Sequence, residues 1–147
     1  SEETVEAVQF TEDPSAIDEV NNDSRPTVLI VEDNDELRSY IIDNMDDSYH
    51  MLEAENGIKA LEVLEKEDID IIVSDVMMPE MNGYEATKCI RALGNPELKN
   101  IPILAMTANA FEEDRRSALE CGMNGFVSKP IEIDELSRAL ENVLHKK

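Results

Sequence analysis

Residues 69–83 read IDIIVSDVMMPEMNG, and the fold turns on how this stretch is understood. Ile71, Ile72 and Val73 form a short continuous apolar run, the pattern of a strand buried on both faces. The run stops at Asp75, and a proline and a glycine follow within eight residues. An ionised carboxylate at the end of a buried strand is costly unless it is paired, metal-bound or facing water. Asp75 therefore marks both the exit of a strand and a position that needs a chemical reason.

Outward from that stretch, the chain alternates between two periods. Val28 to Val31 (VLIV) is a second continuous apolar run, and Leu37, Tyr40, Ile41, Asn44 and Met45 follow at helical spacing. His50 to Ala54 predicts a weaker strand, and Ile58, Leu61, Val63 and Leu64 predict a helix after Asn56-Gly57. The third strand is expected over 69–74. Asn82 with Glu85 is then a capping-box pair opening a helix that runs to about Leu93. A fourth strand is expected over 101–106, with Pro102 at its start, where a missing N–H is tolerated. Asn109 with Glu112 repeats the capping box, Gly125 to Ser128 is the fifth strand, and Ile133 to about His145 is the last helix. Five strands alternating with five helices give an α/β fold, a doubly wound five-stranded parallel sheet covered on both faces.

A chain of 147 residues fits one domain of this kind. Residues 1–25 differ from the rest, with eight acids (Glu2, Glu3, Glu6, Glu12, Asp13, Asp18, Glu19, Asp23) against Arg25, and read as an acidic linker or tail; the domain is expected over 26–147. A net charge of −21 argues against nucleic acid or an anionic membrane as partner, since both select Lys and Arg clusters. No apolar run approaches the ~20 residues of a membrane helix, and no basic-then-apolar leader opens the chain. Cys89 and Cys121 form neither a metal nor a disulfide spacing, so they read as reduced thiols in a cytoplasmic protein.

In a doubly wound sheet, chemistry sits at the carboxyl ends of the strands. Strand one delivers Glu32 and Asp33 there, strand three Asp75, strand four Thr107 and strand five Lys129-Pro130. Singly, Glu32 or Asp33 reads more readily as a helix cap, Thr107 as another, and Lys129 as a solvated charge. Jointly they point elsewhere. Two like charges ~4 Å apart repel by about 4 kcal/mol at an effective dielectric near 20. Three clustered carboxylates must therefore take up protons or bind a cation. Oxygen donors without His or Cys favour a hard ion such as Mg²⁺, which leaves room for phosphate oxygens. Thr107 and Lys129 opposite would complete a phosphoryl clamp, with Asp75 as the nucleophile of an aspartyl-phosphate chemistry.

Taken together, VLIVEDN, SDVMMPEMNG, MTAN and FVSKP resemble the receiver domain of two-component response regulators and hybrid histidine kinases, over roughly Pro26 to His145. The resemblance implies a flavodoxin-like receiver fold in which Asp75 accepts a phosphoryl group from a phosphohistidine on a partner kinase or phosphotransfer domain. It implies Mg²⁺ held by Asp33, Asp75 and the backbone carbonyl of Met77, with Glu32 acting mainly through water. Thr107 and Lys129 would contact the phosphoryl oxygens, Phe126 falls at the switch aromatic, and the Lys129-Pro130 bond is often cis in similar domains. Glu32 stands where many members carry Asp. Met77 and Asn109 occupy positions that affect how fast the phosphoryl group is lost to water.

An aspartate-nucleophile phosphatase on a related sheet usually has a second aspartate two residues after the first, where this chain has Met77. A flavodoxin-like FMN binder needs a hydroxyl- and amide-rich loop after strand one, and VEDNDE would repel a phosphate. His50 and His145 lie in no phosphoacceptor context. The module is thus not expected to turn over a substrate beyond its own phosphoryl transfer and dephosphorylation. No DNA-binding domain is expected after Lys147, and MTANAF is most like the receiver of a hybrid histidine kinase, with tethering to a membrane-bound parent left open. The alternative is a stand-alone single-domain regulator, and weak dimerisation is left open.

Overall fold

The structure is a computed structural model that describes residues 24–45, 47–76, 83–108 and 112–145, with side chains from residue 116 onward in the last segment. The elements run β1 (Thr27–Val31), α1 (Asp35–Asn44), β2 (His50–Ala54), α2 (Gly57–Lys66), β3 (Ile71–Asp75), α3 (Gly83–Arg91), α4 (Pro96–Lys99), β4 (Ile103–Thr107), α5 (Glu112–Cys121), β5 (Gly125–Ser128) and α6 (Ile133–His145). The sheet order is β2-β1-β3-β4-β5, and every neighbouring pair is parallel. This is the receiver-type, flavodoxin-like topology. None of the described helices is long and apolar enough to cross a membrane.

Period-2 alternation in the strands separates two core layers. Leu29, Val31, Ile72 and Ala105 pack with Ala60, Leu64, Ile90 and Ala118 of α2, α3 and α5. Val28, Ile30, Val73 and Met106 pack with Ile41 of α1, Met45 just past its end, and Leu136 and Leu140 of α6. Because each face of β1, β3 and β4 meets helices, the strands have no polar side to alternate, which is why their sequences are continuous apolar runs. Each such Leu, Ile or Val contributes about 1.5–3 kcal/mol when buried, so a few of them outweigh crowded charges at the strand ends. β2 lies at the edge, with His50 and Glu53 exposed, which accounts for its weaker pattern. Tyr40 and Ile58, at helical spacing with the core positions, are each 44% exposed.

Several boundaries differ from the expected ones. β3 covers 71–75 rather than 69–74, because Asp70 uses its side chain at the strand entrance, where Oδ2 accepts the N–H of Thr27 at 2.7 Å. β4 covers 103–107 rather than 101–106, so Asp75 and Thr107 are each the last residue of a strand. The ladder continues past Asp75, with the N–H of Val76 donating to Met106 at 3.1 Å. α4 is a sixth helix among the described residues, a single turn that the sequence reading did not include. Asn95 caps it and Pro96 sits in its first turn, where no N–H partner is needed. The expected capping residues Asn82 and Asn109 lie outside the described residues, as do residues 1–23.

Arg91, at the end of α3, ties the amino ends of β4 and β5 together. Its guanidinium donates to the carbonyls of Lys99 (2.7 Å), Ile101 (2.7 Å) and Gly122 (2.7 and 2.9 Å) and to Asn124 Oδ1 (2.9 Å). Gly122 follows α5 with φ 110°, a left-handed backbone that closes the helix. A Cβ there would also meet Arg91 Cγ at 3.0 Å. Replacing Arg91 by Met keeps the stem but strands these acceptors, and should lower unfolding stability by about 3 kcal/mol. Urea denaturation of Arg91→Met measures the loss; a change within experimental error would show that water substitutes for the guanidinium.

Candidate functional site

The reversal of strand order places the crevice outside the carboxyl ends of β1 and β3. β1 leaves the sheet at Glu32, whose N–H donates to Ala54 at 3.1 Å. Capping of α1 falls to Asn34, whose Oδ1 accepts the N–H of Leu37 at 3.0 Å. That frees the two preceding acids. Glu32 turns inward, 1% exposed, with Oε2 accepting the N–H of Asn34 at 3.0 Å, while Asp33 remains exposed. Asp75 is buried at the end of β3. Gly83 begins α3 against it so closely that a Cβ would lie 2.6 Å from the carbonyl oxygen of Asp75, so no larger residue fits without moving the helix.

Carboxylate oxygens of Glu32, Asp33 and Asp75 lie within 4.8 Å of one another. Lys129 reaches in from beyond β5, with Nζ 3.0 Å from Asp75 Oδ2 and 3.2 Å from Glu32 Oε1. Thr107 is buried at the end of β4, and its carbonyl accepts the N–H of Lys129 at 2.8 Å. Phe126 is half-buried and pairs in register with Ala105, two residues before Thr107, so both belong to the same face of the sheet. The Lys129-Pro130 bond is cis. Met77 lies outside the described residues. Glu32, Asp33, Asp75, Thr107 and Lys129 are brought to this one end of the sheet, while Phe126 lies further back, in register with Ala105. Asn34 and Arg38, which donates to the Glu32 carbonyl at 2.6 Å, were passed over. The Asn immediately before a helical pattern is a readable cap signal, and the i, i+3 pair of Asp35 with Arg38 is readable too; the bond from Arg38 to the Glu32 carbonyl is not, because that acceptor is backbone.

Among the described residues, one ammonium stands against three carboxylates, which leaves the cluster short of positive charge. Burial, reinforced by Asp75 and Asp33, pushes the Glu32 carboxyl up to about 7 against the opposing pull of the Asn34 N–H and Lys129. Burial tends to lower Lys129, but its hydrogen bond to Asp75 and the attraction of both carboxylates outweigh that and leave it raised. Glu32 Oε1 is fully buried and has no hydrogen-bond donor among the described residues. The ammonium at 3.2 Å supplies attraction without hydrogen-bond alignment. An orphaned anionic oxygen among oxygen-only donors fits a hard divalent cation such as Mg²⁺.

A family model described as "Response regulator receiver domain" matches residues 28–141. The chain is 37% identical over 128 residues to the sensor histidine kinase RcsC of Escherichia coli strain K12, a match that covers 86% of this chain but only 13% of RcsC. Among solved structures it is similar to the chemotaxis protein CheY4 of Vibrio cholerae, with a TM-score of 0.74, 31% identity, and coverage of 82% of this chain and 100% of that one. It is also similar to the receiver domain of sensor histidine kinase PA1611 of Pseudomonas aeruginosa PAO1, solved with a magnesium ion coordinated in its active site cleft. That match has a TM-score of 0.71 and 35% identity, covering 83% of this chain and 99% of that one.

The raised Glu32 carboxyl has a stability consequence in metal-free protein. Its folded value near 7 exceeds the ordinary 4.5, so its contribution is fully present below pH ~4.5 and is lost as pH rises through 7. Glu32→Gln removes that titration. In EDTA the variant should be more stable than the unchanged protein by about 1–3 kcal/mol at pH 8, and by much less at pH 4.5. Denaturation curves at the two pH values check this; equal differences at both would contradict it.

Proposed function

Since the chain belongs to the response regulator receiver domain family, we propose that it takes a phosphoryl group from a phosphohistidine onto Asp75. The observation that carries this reading is the position of Asp75: buried at the last residue of a central strand, hydrogen-bonded by Lys129, and within reach of two further carboxylates. A carboxylate oxygen of Asp75 attacks phosphorus, a P–O bond forms, and the P–N bond to imidazole breaks. The departing electron pair stays on the imidazole nitrogen, which takes up a proton. Lys129, already at Asp75 Oδ2, follows the transferred charge to a phosphoryl oxygen. Glu32, Asp33 and Asp75, with the backbone carbonyl of Met77, would hold Mg²⁺, which offsets charge on the transferring group.

The proposed domain spans residues 26–147, and residues 1–25 serve as an acidic linker or tail. Similarity to sensor kinases such as RcsC supports a hybrid kinase as parent, with a phosphohistidine-bearing kinase or phosphotransfer domain as donor. The full-length match to CheY4 favours, as a second reading, a stand-alone regulator.

Phosphorylation should map to Asp75 alone. Incubation with Mg²⁺ and acetyl phosphate, followed by mass spectrometry, tests it; label persisting in Asp75→Asn would contradict the assignment. A second expectation concerns the response. A phosphoryl group adds about −1.5 to −2 charge and new acceptor oxygens. Thr107 moves toward them, and Phe126 on the same sheet face turns into the space left behind. NMR of the Phe126 ring with and without beryllofluoride should show two environments, and Thr107→Ala should suppress the second. One rotamer throughout would refute the coupling.

A further inference from the structure

Arg38 is the one side chain from α1 that the described hydrogen bonds connect to the backbone at the end of β1. Its Nη1 donates to the Glu32 carbonyl at 2.6 Å, Nε to Glu53 Oε1 at 2.7 Å, and Nη2 to Asp35 Oδ1 at 2.6 Å. The guanidinium side chain is only 14% exposed, whereas its acidic partners are 56% and 83% exposed. Ion pairs with such exposed carboxylates contribute little to stability on their own. Their effect is directional: Glu53 on β2 and Asp35 in the first turn of α1 hold a planar fork so that its remaining arm meets the Glu32 oxygen.

That oxygen belongs to the peptide unit joining Glu32 to Asp33. The unit is planar, so fixing the Glu32 oxygen also fixes the N of Asp33 and the direction in which that residue leaves the strand. The same short turn is held from inside by Glu32 Oε2 on the N–H of Asn34 (3.0 Å) and from the edge by the Glu32 N–H on Ala54 (3.1 Å). Arg38 supplies the third restraint, from the α1 side. We infer that Arg38 is a positioning residue that aims the Glu32–Asp33 carboxylates at a divalent cation shared with Asp75. This rests on the cation-binding reading of the acid cluster.

A purely electrostatic role for Arg38 predicts the opposite result. Removing a positive charge beside three carboxylates should tighten cation binding, whereas loss of positioning should weaken it. Residues that orient metal ligands typically change affinity 10- to 100-fold when lost. In the whole chain, Mg²⁺ titration followed by backbone amide shifts should give a dissociation constant about ten-fold weaker for Arg38→Met than for the unchanged protein. Arg91→Met, destabilised at the opposite end of the sheet, should retain the unchanged affinity and so separates positioning from general loss of stability. If Arg38→Met does not fold, Arg38→Lys keeps the charge without the fork and should also bind more weakly. Unchanged or tighter binding in the Arg38 variants, or equal weakening in Arg91→Met, overturns the inference. Absence of Mg²⁺ binding in the unchanged protein overturns the cation-site reading along with it.

Discussion

Three carboxylates lie at one end of a parallel sheet because the strand order reverses between β1 and β3, and the remainder of the structure accommodates that crowding. At ~4 Å separation, each pair of like charges repels by about 4 kcal/mol at an effective dielectric near 20. Lys129 relieves part of this from β5, and Asn34 donates its N–H to Glu32. The rest of the tension is held by the two apolar layers, whose residues are among the most buried in the molecule. A site that is electrostatically unfavourable when empty is therefore carried by a core that is favourable everywhere else. That imbalance is what gives a cation or a phosphoryl group leverage over the strand ends.

Much of this was legible in the amino-acid order, for a physical reason. Continuous runs such as Val28–Val31, short and rich in β-branched residues, fit strands covered on both faces, and their alternation with helical spacing points to a parallel sheet. Once that is granted, the carboxyl ends of the strands collect Glu32, Asp33, Asp75, Thr107 and Lys129 without further assumption. The strand ends were less legible, because Asp70 satisfies a ladder N–H with its side chain, which residue type alone does not announce. Arg38 and Arg91 escaped the reading altogether. Arg91 bonds chiefly to main-chain carbonyls, 31 residues away in the case of Gly122, and Arg38 reaches the Glu32 carbonyl besides two carboxylates; a carbonyl carries no residue identity.

The helix starts show how local choices serve the site. Asn34, Asn56 and Asn95 each cap a helix with a side-chain oxygen. Asn34 matters beyond its helix, since an acid used as the cap at that turn would have been withdrawn from the cluster. Gly83 plays the matching part on the other side of the crevice, letting the first turn of α3 lie directly on the backbone of Asp75.

Arg91 differs from Lys129 in one respect that bears on the medium around the molecule. Its described hydrogen bonds run to neutral carbonyls and an amide oxygen, and burial holds its guanidinium below the usual value without releasing its proton in any ordinary range. Dissolved ions screen interactions between charges over a Debye length of about 10 Å at 0.1 M, but they leave short hydrogen bonds to dipoles largely untouched. At the acidic end the exposed Asp33 and the surrounding surface charge of a chain of net charge −21 are screened as ionic strength rises, whereas buried Glu32 and Asp75 are screened much less and the Arg91 end keeps the same hold. The two ends of one sheet are thus anchored by forces with different sensitivity to salt.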